Sequence, residues 1–169
     1  MFIIEGSDAL GKTTLAKKIC KEYGVQYRHM SKPASDFDHL AGYLTQVGYH
    51  VQDRYHLGSL VYGQMLQLGS YPTPTRMRIV QRYLQWRGCI TLVLYANRSW
   101  LEEQLKLNPK AEMYDAAQVL AANDGFRALS LADNRGVGYA DFSFDVTDGW
   151  PELAHLSMWL EAWQALWNK

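Results

Sequence analysis

The 169-residue chain predicts an α/β fold: a three-layer α/β/α sandwich around a five-stranded parallel sheet. Three observations carry the prediction. Apolar, β-branched stretches alternate with helical stretches along the whole chain. One of these, "CITLVLYA" (89–96), is continuously apolar, as a strand buried on both faces should be. The first, "MFIIE", runs directly into a glycine-rich loop and then a helix.

Taken in order, "MFIIE" is the first strand, followed by a helix from about Lys12 to Glu22. "VQYRHM" (25–30) is the second strand, "DFDHLAGYLTQV" a helix, and "YHVQD" (49–53) the third strand. "LGSLVYGQMLQL" and "TPTRMRIVQRYLQW" read as helices, separated by "GSYPTP", where a glycine and two prolines stop one and admit the next. The fourth strand is 89–96, and helices follow near 99–106 and 112–131. "DFSFDV" (141–146) is the last strand and "WPELAHLSMWLEAWQALWNK" the last helix, with the turn-rich "DNRGVG" (133–138) a loop and not a domain boundary. Residues 1–169 therefore read as a single domain. Trp159, Trp163 and Trp167 recur every four residues, share one helix face with Leu156 and Leu160 close by, and are expected to pack in the core.

Composition narrows the class. The chain is 48% hydrophobic and 20% charged, which is ordinary for a folded domain. Its 17 basic and 17 acidic residues cancel, so no global field points to nucleic acid or membrane. Cys20 and Cys89 lie far apart in apolar patterns, without metal-ligand spacing, and are expected to be buried free thiols. The five histidines also lack ligand spacing, and most read as surface or supporting groups. No apolar run approaches a membrane span, and Glu5 stands where a secretory signal would carry a basic flank, so a cytoplasmic location is expected.

The chemistry begins at "EGSDALGKTT", residues 5–14. Gly6 and Gly11 allow a backbone that side chains forbid, so the amides of Gly6, Ser7, Asp8, Ala9, Leu10 and Gly11 can converge on phosphate oxygens. The following helix aims its positive end at the same anion. Lys12 supplies a point charge to the β- and γ-phosphates, the Thr13 hydroxyl can ligate Mg2+, and Thr14 completes the loop. ATP with Mg2+ is the expected ligand. A GTP-reading switch would carry an Asn-Lys-x-Asp segment after a later strand, and neither "YANRS" nor "DVTDG" fits one. A second motif, "DRYHLGSLVYG" (53–63), closes the third strand. Asp53 there puts a carboxylate at the sheet's carboxyl edge, near the Mg2+, and Arg54 offers a forked guanidinium to a second phosphate. A metal-side carboxylate and a phosphate-clamping arginine are what phosphoryl transfer between phosphates requires.

These two motifs resemble those of the thymidylate kinases, with their Glu-Gly-x-Asp-x-x-Gly-Lys-[Ser/Thr]-[Ser/Thr] loop and Asp-Arg-[Tyr/Phe/His] strand end. "ITLVLYANRSWLEEQL" and "AEMYDAAQVLAANDGFRALS" resemble their later strand and helices. The trimmed length is similar to that of small bacteriophage deoxynucleoside monophosphate kinases, which implies a host cytoplasm as the setting. The resemblance implies a P-loop kinase fold with a short lid near 106–114. It also implies ATP and Mg2+ held by Lys12, Thr13 and the loop, with Asp53 organising the metal and the attacking phosphate. Asp8 would approach the acceptor sugar, Arg54 would bind the acceptor phosphate, and Tyr62 and Ser59 would line the acceptor wall.

Departures from the family pattern are equally specific. The arginine expected on the helix after "LVLYA" is Gln104, the family's serine is Gly58, its glutamine is Gly63, and the lid shrinks to "KLNPKAEMY". Arg98, Lys106, Lys110 or Arg135 would then supply the missing lid cation. The leading expectation is a nucleoside monophosphate kinase acting on a deoxypyrimidine nucleotide such as dTMP or a modified relative. One alternative is a kinase acting on a hydroxymethylated pyrimidine within DNA, the only case that calls for nucleic acid as a partner. A second is a nucleotide-dependent switch or assembly ATPase. The apolar "LVYGQMLQL" helix serves either a homodimer or the core.

Overall fold

In the computed structural model, residues 1–31, 38–66, 72–107, 114–133 and 139–167 are described. Five strands, β1 (Phe2–Gly6), β2 (Gln26–His29), β3 (His50–Asp53), β4 (Ile90–Tyr95) and β5 (Phe142–Asp145), form one all-parallel sheet in the order β2-β3-β1-β4-β5. The chain leaves central β1 to build β2 and β3 on one side, then returns to build β4 and β5 on the other. Connections thus diverge at the carboxyl end of β1, where sheets of this kind hold their ligands.

Among the described residues seven helices connect and flank the strands: α1 (Lys12–Tyr23), α2 (His39–Thr45), α3 (His56–Met65), α4 (Pro74–Trp86), α5 (Arg98–Leu107), α6 (Ala116–Asp133) and α7 (Leu153–Trp167). Alternation along β1 sends Phe2 and Ile4 into a core with Leu15, Ile19, Leu160 and Trp163, while Met1 and Ile3 enter a second core with Leu57, Leu60, Met77 and Val80. A sheet covered on both faces explains why β1 and β4 are apolar at nearly every position.

Most element boundaries follow from capping chemistry. Asp38 accepts from the amides of Leu40 and Ala41, so α2 starts at His39, inside the longer helix that its pattern suggested. Thr73 caps α4 with Pro74 in its first turn, as the breaker cluster implied. Asp115 accepts from Gln118 N, which starts α6 at Ala116 and not at 112. The α7 tryptophans pack as expected, with Trp163 fully buried and Trp159 and Trp167 partly so.

Two of the five histidines, His50 and His56, are buried, and His56 has the supporting role expected of such groups, its Nε2 on Gln81 Oε1. Cys89 is a buried thiol, but Cys20 is only half-buried, near the end of the amphipathic α1. The "LVYGQMLQL" face is core: Leu60, Val61, Tyr62 and Gly63 are buried, and α3 packs against α4 and α6. No helix among the described residues is long and apolar enough to cross a membrane.

Candidate active site

The loop after β1 has the backbone that its glycines predicted. Gly6 takes φ 147° and a Cβ there would lie 2.6 Å from the Leu94 carbonyl oxygen, so the loop's first residue presses on β4. Gly11 takes φ 58° as the N-cap of α1, and a Cβ there would lie 2.1 Å from the Trp150 ring. Ala9 shares the left-handed region at φ 60°. No acidic side chain occupies the first turn of α1, so its amide end keeps its positive character.

Inside this loop Lys12 is 4% exposed. Its Nζ donates to the Ser7 carbonyl and lies 3.8 Å from Asp8 Oδ1. Burial, then the neighbouring Arg54 charge, lowers its pKa, against the pull of Asp8, Asp53 and Glu5. Ser7 and Asp8 are buried, Leu10 enters the core, and Thr13 and Thr14 face solvent at the head of α1.

Asp53 ends β3, beside β1, and is fully buried. Its Oδ2 accepts from Thr13 Oγ1 at 2.5 Å and Tyr27 Oη at 2.9 Å, with His29 Nδ1 at 3.3 Å. Its Oδ1 has no hydrogen-bond partner among the described residues. Tyr27 and His29 escaped the sequence reading, although a signal for them existed. They share a face of β2, and parallel pairing sets His29 directly beside Asp53. A cleft beyond them is lined by Arg28, Met30, Ser31, Gln46 and Gln52.

Arg54 follows at φ 64°, an unusual left-handed conformation for a non-glycine residue. That turn swings its guanidinium back onto the loop after β1, where Nη2 donates to Asp8 Oδ1. Burial opposes the guanidinium charge most strongly of any one cause, but Asp8, Tyr62 and Asp53 together outweigh it and hold the pKa above its ordinary value. Tyr62 lies one helical stretch further on, buried and stacked on Tyr114 with ring centroids 4.6 Å apart and 16° between planes. Burial, then the Asp8 carboxylate, pushes its hydroxyl pKa up. Tyr114 was not singled out from the sequence, because only the fold sets it against Tyr62.

Beneath these groups sits Glu5, fully buried, whose Oε1 accepts from Leu57 N at 2.8 Å and Oε2 from Gly58 N at 3.2 Å. Burial raises its pKa to about 7, against these amides and Lys12. His56 lies alongside, its Nε2 on Gln81 Oε1 at 2.8 Å, and burial lowers its pKa to about 4.

The loop residues, Asp53, Arg54 and Tyr62 are thus gathered at one end of the sheet. Ser59 is nearby on α3, its hydroxyl paired with Tyr43 of α2. The candidate lid cations are not gathered there among the described residues. Arg98 is paired with Glu102 at 3.3 Å and Asp124 at 2.9 Å on α5 and α6, and Lys106 is exposed at the end of α5. Lys110 and Arg135 lie outside the described residues, as does most of the short lid.

No family model and no curated protein sequence matches this chain. Among solved structures, it is similar to the YorR protein of Bacillus subtilis, crystallised in complex with phosphorylated GDP. The TM-score is 0.72 with 19% identity, over 97% of this chain and 96% of that one. At such identity the likeness is one of architecture, and it extends across nearly the whole chain: a five-stranded, all-parallel α/β fold.

Proposed function

We propose that this chain is an ATP- and Mg2+-dependent phosphotransferase whose acceptor is a deoxynucleoside monophosphate, a pyrimidine such as dTMP or a modified relative. The observation that carries the reading is the contact between Arg54 and Asp8. It brings a phosphate-binding guanidinium from β3 onto the loop that cradles the donor, so two phosphates bound at these points would be neighbours. A fold neighbour that holds a phosphorylated GDP supports a nucleotide ligand for this architecture.

In this reading the loop amides and Lys12 bind the β- and γ-phosphates of ATP, and Arg54 orients the acceptor phosphate. An acceptor oxygen attacks the γ-phosphorus in line, the bond to the β–γ bridging oxygen breaks, and ADP leaves. The acceptor phosphate needs little activation, so the protein's contribution is position and charge. The residues fit Mg2+: Thr13 Oγ1 and Asp53 are hard oxygen donors already in contact, and Asp53 Oδ1 is buried with a lone pair unclaimed among the described residues. When bound, the ion neutralises charge on the transferring phosphates. Tyr62 and Tyr114 give the acceptor base an aromatic wall.

A coupled assay for ADP release, run with a panel of deoxynucleoside monophosphates, tests the proposal. Turnover should rise sharply with one member. A rate no greater than with ATP alone for every member would sink it. Arg54→Ala also separates the readings: it should raise the acceptor KM and spare ATP binding, whereas a switch ATPase would be indifferent to it.

A further inference from the structure

The overall charge balance hides a segregation. Between Asp53 and Glu102 the chain has no acidic residue, and α4 with its C-cap carries Arg76, Arg78, Arg82 and Arg87. All four are exposed, and none is within ion-pair distance of a described carboxylate. The carboxylate that does reach α4, Asp141, is bound by Gln85 Nε2 and Thr91 N.

Helical geometry orders this surface. Met77, Val80, Gln81 and Leu84 are fully buried, which fixes the opposite face as solvent-facing. Down the middle of that face run Ile79, Tyr83 and Trp86, at i, i+4 and i+7. Arg76 and Arg87 flank the stripe on one side, Arg78 and Arg82 on the other. Trp86 is 77% exposed and Ile79 52%. Arg87 is braced over the Tyr83 ring, 5.8 Å from its centroid, and donates to its hydroxyl at 3.0 Å. The arginines span about 16 Å of helix.

We infer that the exposed face of α4 binds a single-stranded nucleic acid, with the arginines on its phosphates and the Ile79–Tyr83–Trp86 stripe against unstacked bases. A row of cations beside stacking rings is what a single strand rewards, whereas a duplex hides its base faces. Half of α4 is buried in its own domain, which leaves no protruding helix to enter a groove. An interfacial membrane helix needs a broad apolar face, and here apolar residues form one narrow line between cations. The inference holds whichever nucleotide receives the phosphoryl group.

Fluorescence anisotropy with a labelled 15-nucleotide single strand over a range of salt tests it. Four phosphate contacts give a log–log salt slope of about −3 for a single strand. Arg78→Gln with Arg82→Gln should bring the slope closer to zero by about 1.4. Trp86→Ala should weaken binding roughly 5- to 150-fold and leave the slope unchanged. Lys17→Gln with Lys21→Gln, exposed on α1, serves as the control and should change neither. An unaltered slope in the arginine variant or an effect of equal size in the α1 control would overturn the assignment. So would arginine-dependent binding to phosphatidylserine vesicles with none to the strand. Unfolding midpoints of the variants check that each is folded. Turnover of free deoxynucleoside monophosphates should be unchanged by the α4 substitutions, so the failure of strand binding and the failure of the active-site reading are separately visible.

Discussion

Replacing Arg54 separates three roles that one side chain combines. Its guanidinium is the proposed acceptor clamp, its ion pair neutralises Asp8, and its backbone sits at φ 64°. A charge-assisted contact to phosphate contributes about 2–3 kcal/mol, so Arg54→Ala should lower kcat/KM for the acceptor by roughly 30- to 150-fold. Asp8 is 2% exposed, and after the substitution Lys12 at 3.8 Å is its remaining partner. The stability loss should therefore be about 2–3 kcal/mol, the range of a hydrogen bond to a charged group. Alanine at positive φ also retains a strain of about 1 kcal/mol that glycine relieves. Arg54→Gly should then unfold about 2–4 °C higher than Arg54→Ala while sharing its kinetic defect. Asp8→Asn should restore stability in the Arg54→Ala background and not in the native one. Urea unfolding and steady-state kinetics on the four proteins provide the numbers. Equal midpoints for Ala and Gly would refute the strain argument, and additive losses from Asp8→Asn and Arg54→Ala would refute the pairing. An unchanged acceptor KM would remove Arg54 from the acceptor site.

Three further outcomes follow from the same geometry. ATP with Mg2+ at 100 times its Kd should stabilise the native protein by about 2.7 kcal/mol, a rise of roughly 5–10 °C, and Lys12→Ala should abolish that rise in a thermal-shift scan. Gly11→Ala should destabilise through positive φ, by about 1–2 kcal/mol, and through the indole that its Cβ meets at 2.1 Å. Adding Trp150→Ala should recover only the steric part in urea unfolding. Between about pH 5 and 6, His50 and His56 stay neutral in the native state, each lowered to about 4 by burial, but are mostly protonated when unfolded. Both therefore lose stability as pH falls. Glu5, raised to about 7, stays protonated in the native state over that window but ionises when unfolded, and loses stability as pH rises. The net is one proton more in the unfolded state, so stability should climb by about 1.4 kcal/mol per pH unit. His56→Gln should flatten that climb, and an undiminished slope would count against the buried neutral imidazole.

How much of this was readable depends on how local each feature is. The phosphate loop is contiguous, and its glycine spacing dictates the backbone at Gly6 and Gly11 without reference to the rest of the chain. The strand order is less local, but alternation of strands with helices and the apolar character of 90–95 constrained it to a covered parallel sheet. The surroundings of Asp53 were not readable in the same way. Thr13, Tyr27 and His29 reach its carboxylate from α1 and β2, and only the pairing of β2 with β3 makes His29 its neighbour. The pairing of His56 with Gln81, a helix away, was unreadable for the same reason. Tyr114 and Trp150 likewise meet the site from distant parts of the chain, Tyr114 on Tyr62 and Trp150 on Gly11.

Glu5 shows what joins the legible and illegible halves. In sequence it is merely the residue before the loop. In the fold it lies under α3, and its two oxygens accept from consecutive amides in that helix's first turn. A carboxylate suits a helix amino end. Burial alone would not keep an acid here, since desolvation pushes its pKa to about 7 against those same bonds. What its position achieves is registration. Glu5 sits one residue before the loop, and Leu57 and Gly58 sit three and four residues after Arg54. A single side chain thus ties the strand bearing the donor loop to the helix that follows the arginine. Any slip between β1 and α3 would move Arg54 relative to Asp8 and leave a buried acid facing unpaired amides, a cost on the order of 1–3 kcal/mol. The two motifs are distant in sequence, and this pairing makes them one site.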